Sequence, residues 1–353
     1  MHRSRRVTTA AVVALMVVAG ACSGGDDGDD GDEAGAGAEG TATTEAATPV
    51  PSAGCGGGAT AEADQVEATL SVREADRRYL LSAPAWEAGG EPLPLVLDFH
   101  GLAEGADVHA GMTQLGPLGI EEGFVTVFPH GRGEPVRWET ATDPAANDDL
   151  AYVAAVLDQV EAERCVDTTR VYATGLSNGA MMASTVACAM ADRVAAIGPV
   201  AGVALPEPCE PARPVPVLAI HGTADPILLF NGGVGSGVLD AALGGEVSET
   251  TTTTVAADLD GAGYPETVRG WAELAGCEGT ATDERVSDEV IRRTYDCPED
   301  APVEFLIVEG GGHSWPSSEF SRSIEDFVGP TTFDIDASRE VWGFVSRFRL
   351  PAP

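Results

Sequence analysis

Short apolar runs recur along the chain, separated by turn-forming residues and by stretches with helical periodicity. Residues 66–82 alternate apolar and polar positions and read as two short strands joined by the polar turn R-E-A-D-R. L-P-L-V-L-D-F-H-G (93–101) and F-V-T-V-F-P-H-G (124–131) are continuous apolar runs that end in Gly. That pattern suits strands buried on both faces of a parallel sheet. Residues 147–163 predict a helix, capped by Asn147 or Asp148, with Leu150, Val153, Ala154, Leu157 and Val160 on one face. Further strands are expected at 170–175, 194–202, 215–222 and 303–310. Helices are expected after Ser177, over 265–275 and over about 336–348. Strands alternating with helices predict an α/β class, with a mostly parallel central sheet covered by helices on both faces. Residues 231–264 interrupt the order: they hold many Gly, five consecutive Thr and scattered acids, and predict a flexible insertion.

The chain's start follows a different rule. Arg3, Arg5 and Arg6 precede the apolar run Ala10–Gly20, which is too short to span a bilayer. It ends in A-G-A-C at Cys22 and resembles a bacterial lipoprotein signal over residues 1–21, with Cys22 the lipidated residue. Residues 22–54 carry eight acids and no base among Gly, Ala and Thr, a composition that cannot order itself. The rest of the chain, 55–353, is expected to form the folded domain. The protein is therefore expected to be exported, either secreted or tethered to a membrane through a lipid anchor.

Charge narrows the function classes. The 353 residues carry a formal net charge of −36, and every fixed cation is Arg, since Lys is absent. The eight acids of 22–54 account for only part of that charge, so the folded domain is itself acidic. A basic footprint for nucleic acid is missing. With Cys22 set aside, six Cys remain, and an even number in an exported chain predicts disulfides. Cys277 and Cys297 flank a short polar, strand-like segment and are expected to pair. Cys188 and Cys209 flank one strand and are expected to pair, which leaves Cys55 with Cys165. No C-x-x-C or H-E-x-x-H occurs, so no metal or other cofactor is expected.

The chemistry centres on G-L-S-N-G at 175–179. G-x-S-x-G between a strand and a helix is the nucleophile elbow, which exposes a Ser hydroxyl at the carboxyl end of a sheet. Ser177 is the expected nucleophile. A hydroxyl needs a base, and the base an orienting carboxylate, in the chain order Ser, acid, His. Asp225 in H-G-T-A-D-P follows the 215–222 strand, and His313 in G-G-G-H-S-W-P follows the 303–310 strand. The developing oxyanion requires two N–H donors. Asn178 should supply one. The loop H-G-L-A-E-G should supply the other at Leu102, with Gly101 as the alternative and His100 holding the loop. His221, four residues from Asp225, is expected to be structural.

These motifs, with P-V-A-G and the G-C at 276–277, resemble the extracellular polyhydroxybutyrate depolymerase-like esterases. That family includes feruloyl and acetylxylan esterases, and the likeness spans about residues 66–350. The resemblance implies an α/β-hydrolase fold and hydrolysis of carboxylic esters; the protein is expected to act as a monomer. It puts Ser177, Asp225 and His313 at the triad positions and Trp138 and Trp315 near the substrate cleft. The sequence departs from the family where E-T-A-T-D-P-A-A replaces a Cys-containing segment after Trp138, and where 231–264 is long. A peptidase of the same fold, and a surface-binding lipoprotein on an inactive hydrolase scaffold, are the alternative readings.

Overall fold

The computed structural model describes residues 48–73, 75–235 and 256–351. The signal segment, Cys22, nearly all of the acidic stretch and the Thr-rich centre of the 231–264 insertion lie outside the described residues. One body spans Ala46–Pro353. It takes in Val50–Ser52, ahead of the expected boundary at residue 55: Val50 N donates to Asp167 Oδ1 and Ser52 N to Val166 O.

Ten strands form one sheet: β1 (Ala63–Val72), β2 (Ala75–Ala83), β3 (Leu93–Phe99), β4 (Val125–Pro129), β5 (Val166–Leu176), β6 (Ala196–Val200), β7 (Val217–Gly222), β8 (Glu278–Arg285), β9 (Val290–Asp296) and β10 (Val303–Val308). Their order is β1-β2-β4-β3-β5-β6-β7-β10-β9-β8. The central six are parallel. The two hairpins at the edges are antiparallel, which qualifies the expected parallel sheet. In the first hairpin the strands are longer than expected, and Asp76 and Arg77 belong to β2 rather than to the turn.

Side chains alternate along each buried strand and build two cores. On one face Leu95, Leu97, Ala173, Ile197, Ala219 and Phe305 meet three helices: α3 (Asp148–Glu163), α4 (Asn178–Ala189) and α5 (Tyr264–Ala275). On the other, Val96, Tyr172, Leu218 and Leu306 meet α1 (Ala106–Thr113), α2 (Leu115–Glu122) and α8 (Ala337–Val345). Two short helices, α6 (Glu319–Ser323) and α7 (Glu325–Val328), precede α8. Asn147 caps α3, its Oδ1 accepting from Asp149 N and Leu150 N at 2.8 and 3.1 Å. All of the parallel strands point their carboxyl ends to one edge, where ligand sites of open α/β sheets form.

The described ends of the 231–264 insertion are tied together. Asn231 Nδ2 donates to Asp258 O and Ala262 O, and Asn231 Oδ1 accepts from Asp258 N. The three disulfides join Cys55 to Cys165, Cys188 to Cys209, and Cys277 to Cys297, as expected. Their sequence separations are 110, 21 and 20 residues. Cross-linking removes chain entropy from the unfolded state as the logarithm of loop length. Replacing Cys55 and Cys165 by Ala should therefore cost about 1.5 kcal/mol more than replacing Cys277 and Cys297. Urea unfolding of the two variants measures the difference, and equal losses would rule out loop entropy as its source.

Candidate active site

β5 ends at Leu176 and α4 begins at Asn178, so Ser177 makes the whole turn. Its φ of 57° and ψ of −120° lie where L-residues are strained, at roughly 1–3 kcal/mol. The turn is held from both sides: Ser177 N donates to Val200 O at 3.0 Å, and Met181 N donates to Ser177 O at 3.0 Å. Both flanking glycines are required by close approach. A Cβ on Gly179 would stand 1.9 Å from Phe99 O, and one on Gly175 2.4 Å from the same atom. The half-buried Ser177 side chain therefore sits at the carboxyl edge, beside the end of β3.

Asp225 follows β7 and is buried. Its Oδ1 accepts from Ile227 N and Leu228 N at 2.8 and 2.9 Å, which fixes the carboxylate plane. Its Oδ2 lies 2.7 Å from His313 Nδ1 and 3.2 Å from His221 Nε2. Burial works against ionisation, but the charge of His313 and the hydrogen bonds from His221 and His313 outweigh it. The carboxyl is thus held far below the usual carboxylate range. His221 Nε2 also meets Leu228 O at 3.0 Å, so that nitrogen carries its proton, and the ring stacks on Tyr264 at 3.6 Å. With Nδ1 bonded to Asp225, His313 keeps Nε2 free of protein partners among the described residues.

Leu102 and Asn178 flank the turn. Neither backbone N–H donates to an acceptor among the described residues, whereas Gly101 N is occupied, donating to Glu104 Oε2 at 2.7 Å. That removes Gly101 as an alternative donor. His100 holds the loop as expected: Nδ1 meets Gly101 O at 2.7 Å, and Nε2 accepts from Gly131 N at 2.9 Å. This makes it a neutral tautomer, and burial pushes its pKa down to about 4.

The two tryptophans expected near the cleft lie beneath it and do not line its wall. Trp138 is buried under the loop: its N donates to Asn178 Oδ1 at 2.7 Å, its Nε1 to His100 O at 2.9 Å, and its ring packs on His100. Trp315 is buried behind His313, its Nε1 donating to Ser338 Oγ at 3.0 Å. Each has an N–H that finds a partner in the interior, so burial is favourable and the rings act as supports.

A cavity of about 300 Å³ opens over Ser177 and His313. Leu102, Val108 and Met112 line it, together with Phe320 of α6, Ile324 between the two helices and Phe327 of α7. Five of these six are exposed large apolar residues, so the cavity has an apolar mouth. Among the described residues, Glu104 is the only carboxylate in the wall. Sequence reasoning missed both the apolar wall and Glu104. The i, i+4, i+7 spacing of Phe320, Ile324 and Phe327 was the available signal. A larger cavity of about 570 Å³ lies by α5 and the β8–β9 hairpin, but its walls contain neither Ser177 nor His313. Its buried cation, Arg293, is engaged by both oxygens of Asp283.

The chain is similar to several known proteins. Feruloyl esterase B of Piromyces equi is 23% identical over 282 residues, covering 78% of this chain and 46% of its own length. The chain thus spans about half of that relative. The putative esterase NocK of Nocardia uniformis subsp. tsuyamanensis is 33% identical over 272 residues, covering 72% of this chain and 76% of its own. The solved acetyl xylan esterase from Aspergillus awamori overlays with a TM-score of 0.49 at 12% identity, over 74% of this chain and 98% of that one. The model of the family described as Esterase PHB depolymerase matches residues 78–258, from β2 through the Ser177 turn and Asp225. With half of the chain inside that match and NocK aligned well beyond it, the chain belongs to the PHB depolymerase family of esterases.

Proposed function

We propose that this chain is an exported serine esterase that hydrolyses carboxylic esters through an acyl-enzyme. One observation carries the reading: the imidazole bonded to Asp225 and the hydroxyl at the strained turn line the same cavity. Ser177 Oγ attacks the ester carbonyl carbon while His313 Nε2 takes its proton. The imidazolium then gives that proton to the departing alcohol as the C–O bond breaks. Water repeats the sequence on the acyl-Ser177 ester and releases the acid. Asp225 holds the imidazole's orientation and stabilises its charged form. The N–H groups of Leu102 and Asn178 receive the oxyanion; losing one such donor typically costs about 3–4 kcal/mol in the transition state.

The apolar walls favour an ester with an apolar acyl or hydroxyacyl portion, as in polyhydroxyalkanoate-type and feruloyl esters. Among the described residues, no polar side chain other than Ser177, Ser321, His313 and Glu104 lines the cavity to satisfy buried sugar hydroxyls. Three disulfides support an oxidising compartment, and the Cys22 motif supports acylation there.

Ser177→Ala should lower kcat on p-nitrophenyl butyrate by on the order of 10⁵-fold with an unchanged circular-dichroism spectrum, and Asp225→Asn by roughly 10⁴-fold. Full activity in Ser177→Ala would exclude the mechanism. Asp225, held ionised far into acid, should add no limb to the acid side of the pH profile of kcat/KM. Phe327→Ser removes about 1 kcal/mol of apolar contact and should raise KM for butyrate and longer esters roughly fivefold, while leaving acetate esters little changed. Metabolic palmitate labelling should mark the full chain and be lost in Cys22→Ser; labelling that persists would place acylation elsewhere.

A further inference from the structure

A second set of charged groups lies behind the 100–105 loop. Asp98 is the penultimate residue of β3, Glu104 closes the loop, and His109 is on α1. Asp98 and His109 are fully buried. His109 Nε2 meets Asp98 Oδ1 at 2.7 Å, and its Nδ1 meets Glu104 Oε2 at 3.2 Å. Both ring nitrogens face carboxylate oxygens, so both carry protons and the ring is an imidazolium. The second Asp98 oxygen accepts from Thr113 Oγ1 at 2.7 Å, and the Trp315 ring stands edge-on to His109 at 6.0 Å. The same Glu104 oxygen that His109 reaches also accepts Gly101 N at 2.7 Å.

We infer that Glu104, clamped by His109 against Asp98, is a positioning residue for the reaction, acting through the Gly101 peptide on the oxyanion-binding loop. The inference rests on the esterase reading above. Its physical basis is a competition between donors. Gly101, Leu102 and Ala103 offer three consecutive N–H groups, and a loop free to choose could turn any of them toward the cavity. Ala103 N is taken by Val136 O at 2.8 Å and Gly101 N by Glu104, which leaves Leu102 N alone. With Gly101 and Ala103 both pinned, the peptide between them has one orientation. The oxyanion then meets a donor already in place, with no reorganisation during the reaction.

The clamp also solves an electrostatic problem. A carboxylate in the cavity wall opposes the negative charge that develops at the carbonyl oxygen. His109 offsets it at hydrogen-bond distance, and the buried imidazolium is itself stabilised by Asp98. Burial works against the imidazolium, but the two carboxylates outweigh it and hold its pKa at about 10. Burial likewise works against the Glu104 carboxylate, and the bond to His109 and its charge bring that carboxyl below its ordinary value. Glu104 is thus ionised, yet its charge is spent on His109 and Gly101.

The test compares three variants of the full chain: Glu104→Ala, Glu104→Asp and Glu104→Gln. Asp keeps the charge but is one methylene too short to reach Gly101 N from the loop. Gln loses the charge but keeps one oxygen that can accept from both Gly101 N and His109. On p-nitrophenyl butyrate the Ala and Asp variants should lose roughly 10- to 100-fold in kcat with KM within threefold, part of the 10²–10³ that a missing oxyanion donor costs. Gln should recover kcat to within about fivefold of the parent. If Ala fails to fold, Asp against Gln still decides. Parental kcat in the Asp variant, or equal losses in Asp and Gln, would overturn the inference while Ser177-dependent hydrolysis by the parent left the esterase reading intact. A parent without Ser177-dependent hydrolysis would remove both.

Discussion

The end of β3 and the start of α4 approach so closely that a Cβ on Gly179 would lie 1.9 Å from the carbonyl oxygen of Phe99. Everything at the candidate active site depends on that approach. It lets β5 turn through one residue into α4, which leaves the Ser177 side chain projecting from a strained backbone. It also brings the residues that follow Phe99, the 100–105 loop, alongside the same turn. Ser177 and the 100–105 loop are therefore neighbours for one backbone reason. The cost of the positive φ at Ser177 is met by backbone bonds on both sides, one to Val200 O in β6 and one from Met181 N in the first turn of α4.

A second organising feature is how differently the protein treats its imidazoles. The five His among the described residues all belong to the carboxyl edge: His100 and His130 follow strands, His109 is on α1, His221 lies in β7 and His313 follows β10. His100 donates to one carbonyl and accepts one N–H, so it is neutral. His109 faces two carboxylates, so it is charged. His221 and His313 share one oxygen of Asp225. Identical side chains thus differ in charge and in hydrogen bonding, and the partner at each ring nitrogen decides how. In a chain this acidic and without Lys, the buried imidazolium of His109 supplies the counter-charge to Glu104 in the cavity wall.

Much of this was readable from short stretches of sequence. The apolar runs of β3, β4, β7 and β10 have no polar position facing water, and such runs have few homes other than a central parallel sheet. G-L-S-N-G, H-G-T-A-D-P and G-G-G-H-S-W-P each sit at the end of such a run, so the sheet alone brings Ser177, Asp225 and His313 to one edge. Other elements were hidden. Helices α1 and α2 carry Gly111, Gly116 and Gly119 and have little intrinsic helix preference; packing against β2 and β4 holds them. β8 is polar along its length and exists through pairing with β9, where Arg293 grips both oxygens of Asp283.

What the sequence by itself determined is the set of local commitments: which segments are strands, where a strand must turn sharply, which chemistries stand at strand ends, and which Cys lie close enough along the chain to pair. Tertiary structure decided how side chains from distant segments share space. Trp138 and Trp315 look the same in sequence whether they wall a cleft or lie beneath it; only the positions of His100, Asn178 and Ser338 put both inside. Glu104 and His109, five residues apart across a loop and a helix start, become a clamp only once β3 supplies Asp98 to the other nitrogen of the His109 ring. Local preference follows from each residue's own backbone and its immediate neighbours. The role of a buried polar group follows from the partner that satisfies it, and that partner is fixed only when the whole sheet has assembled.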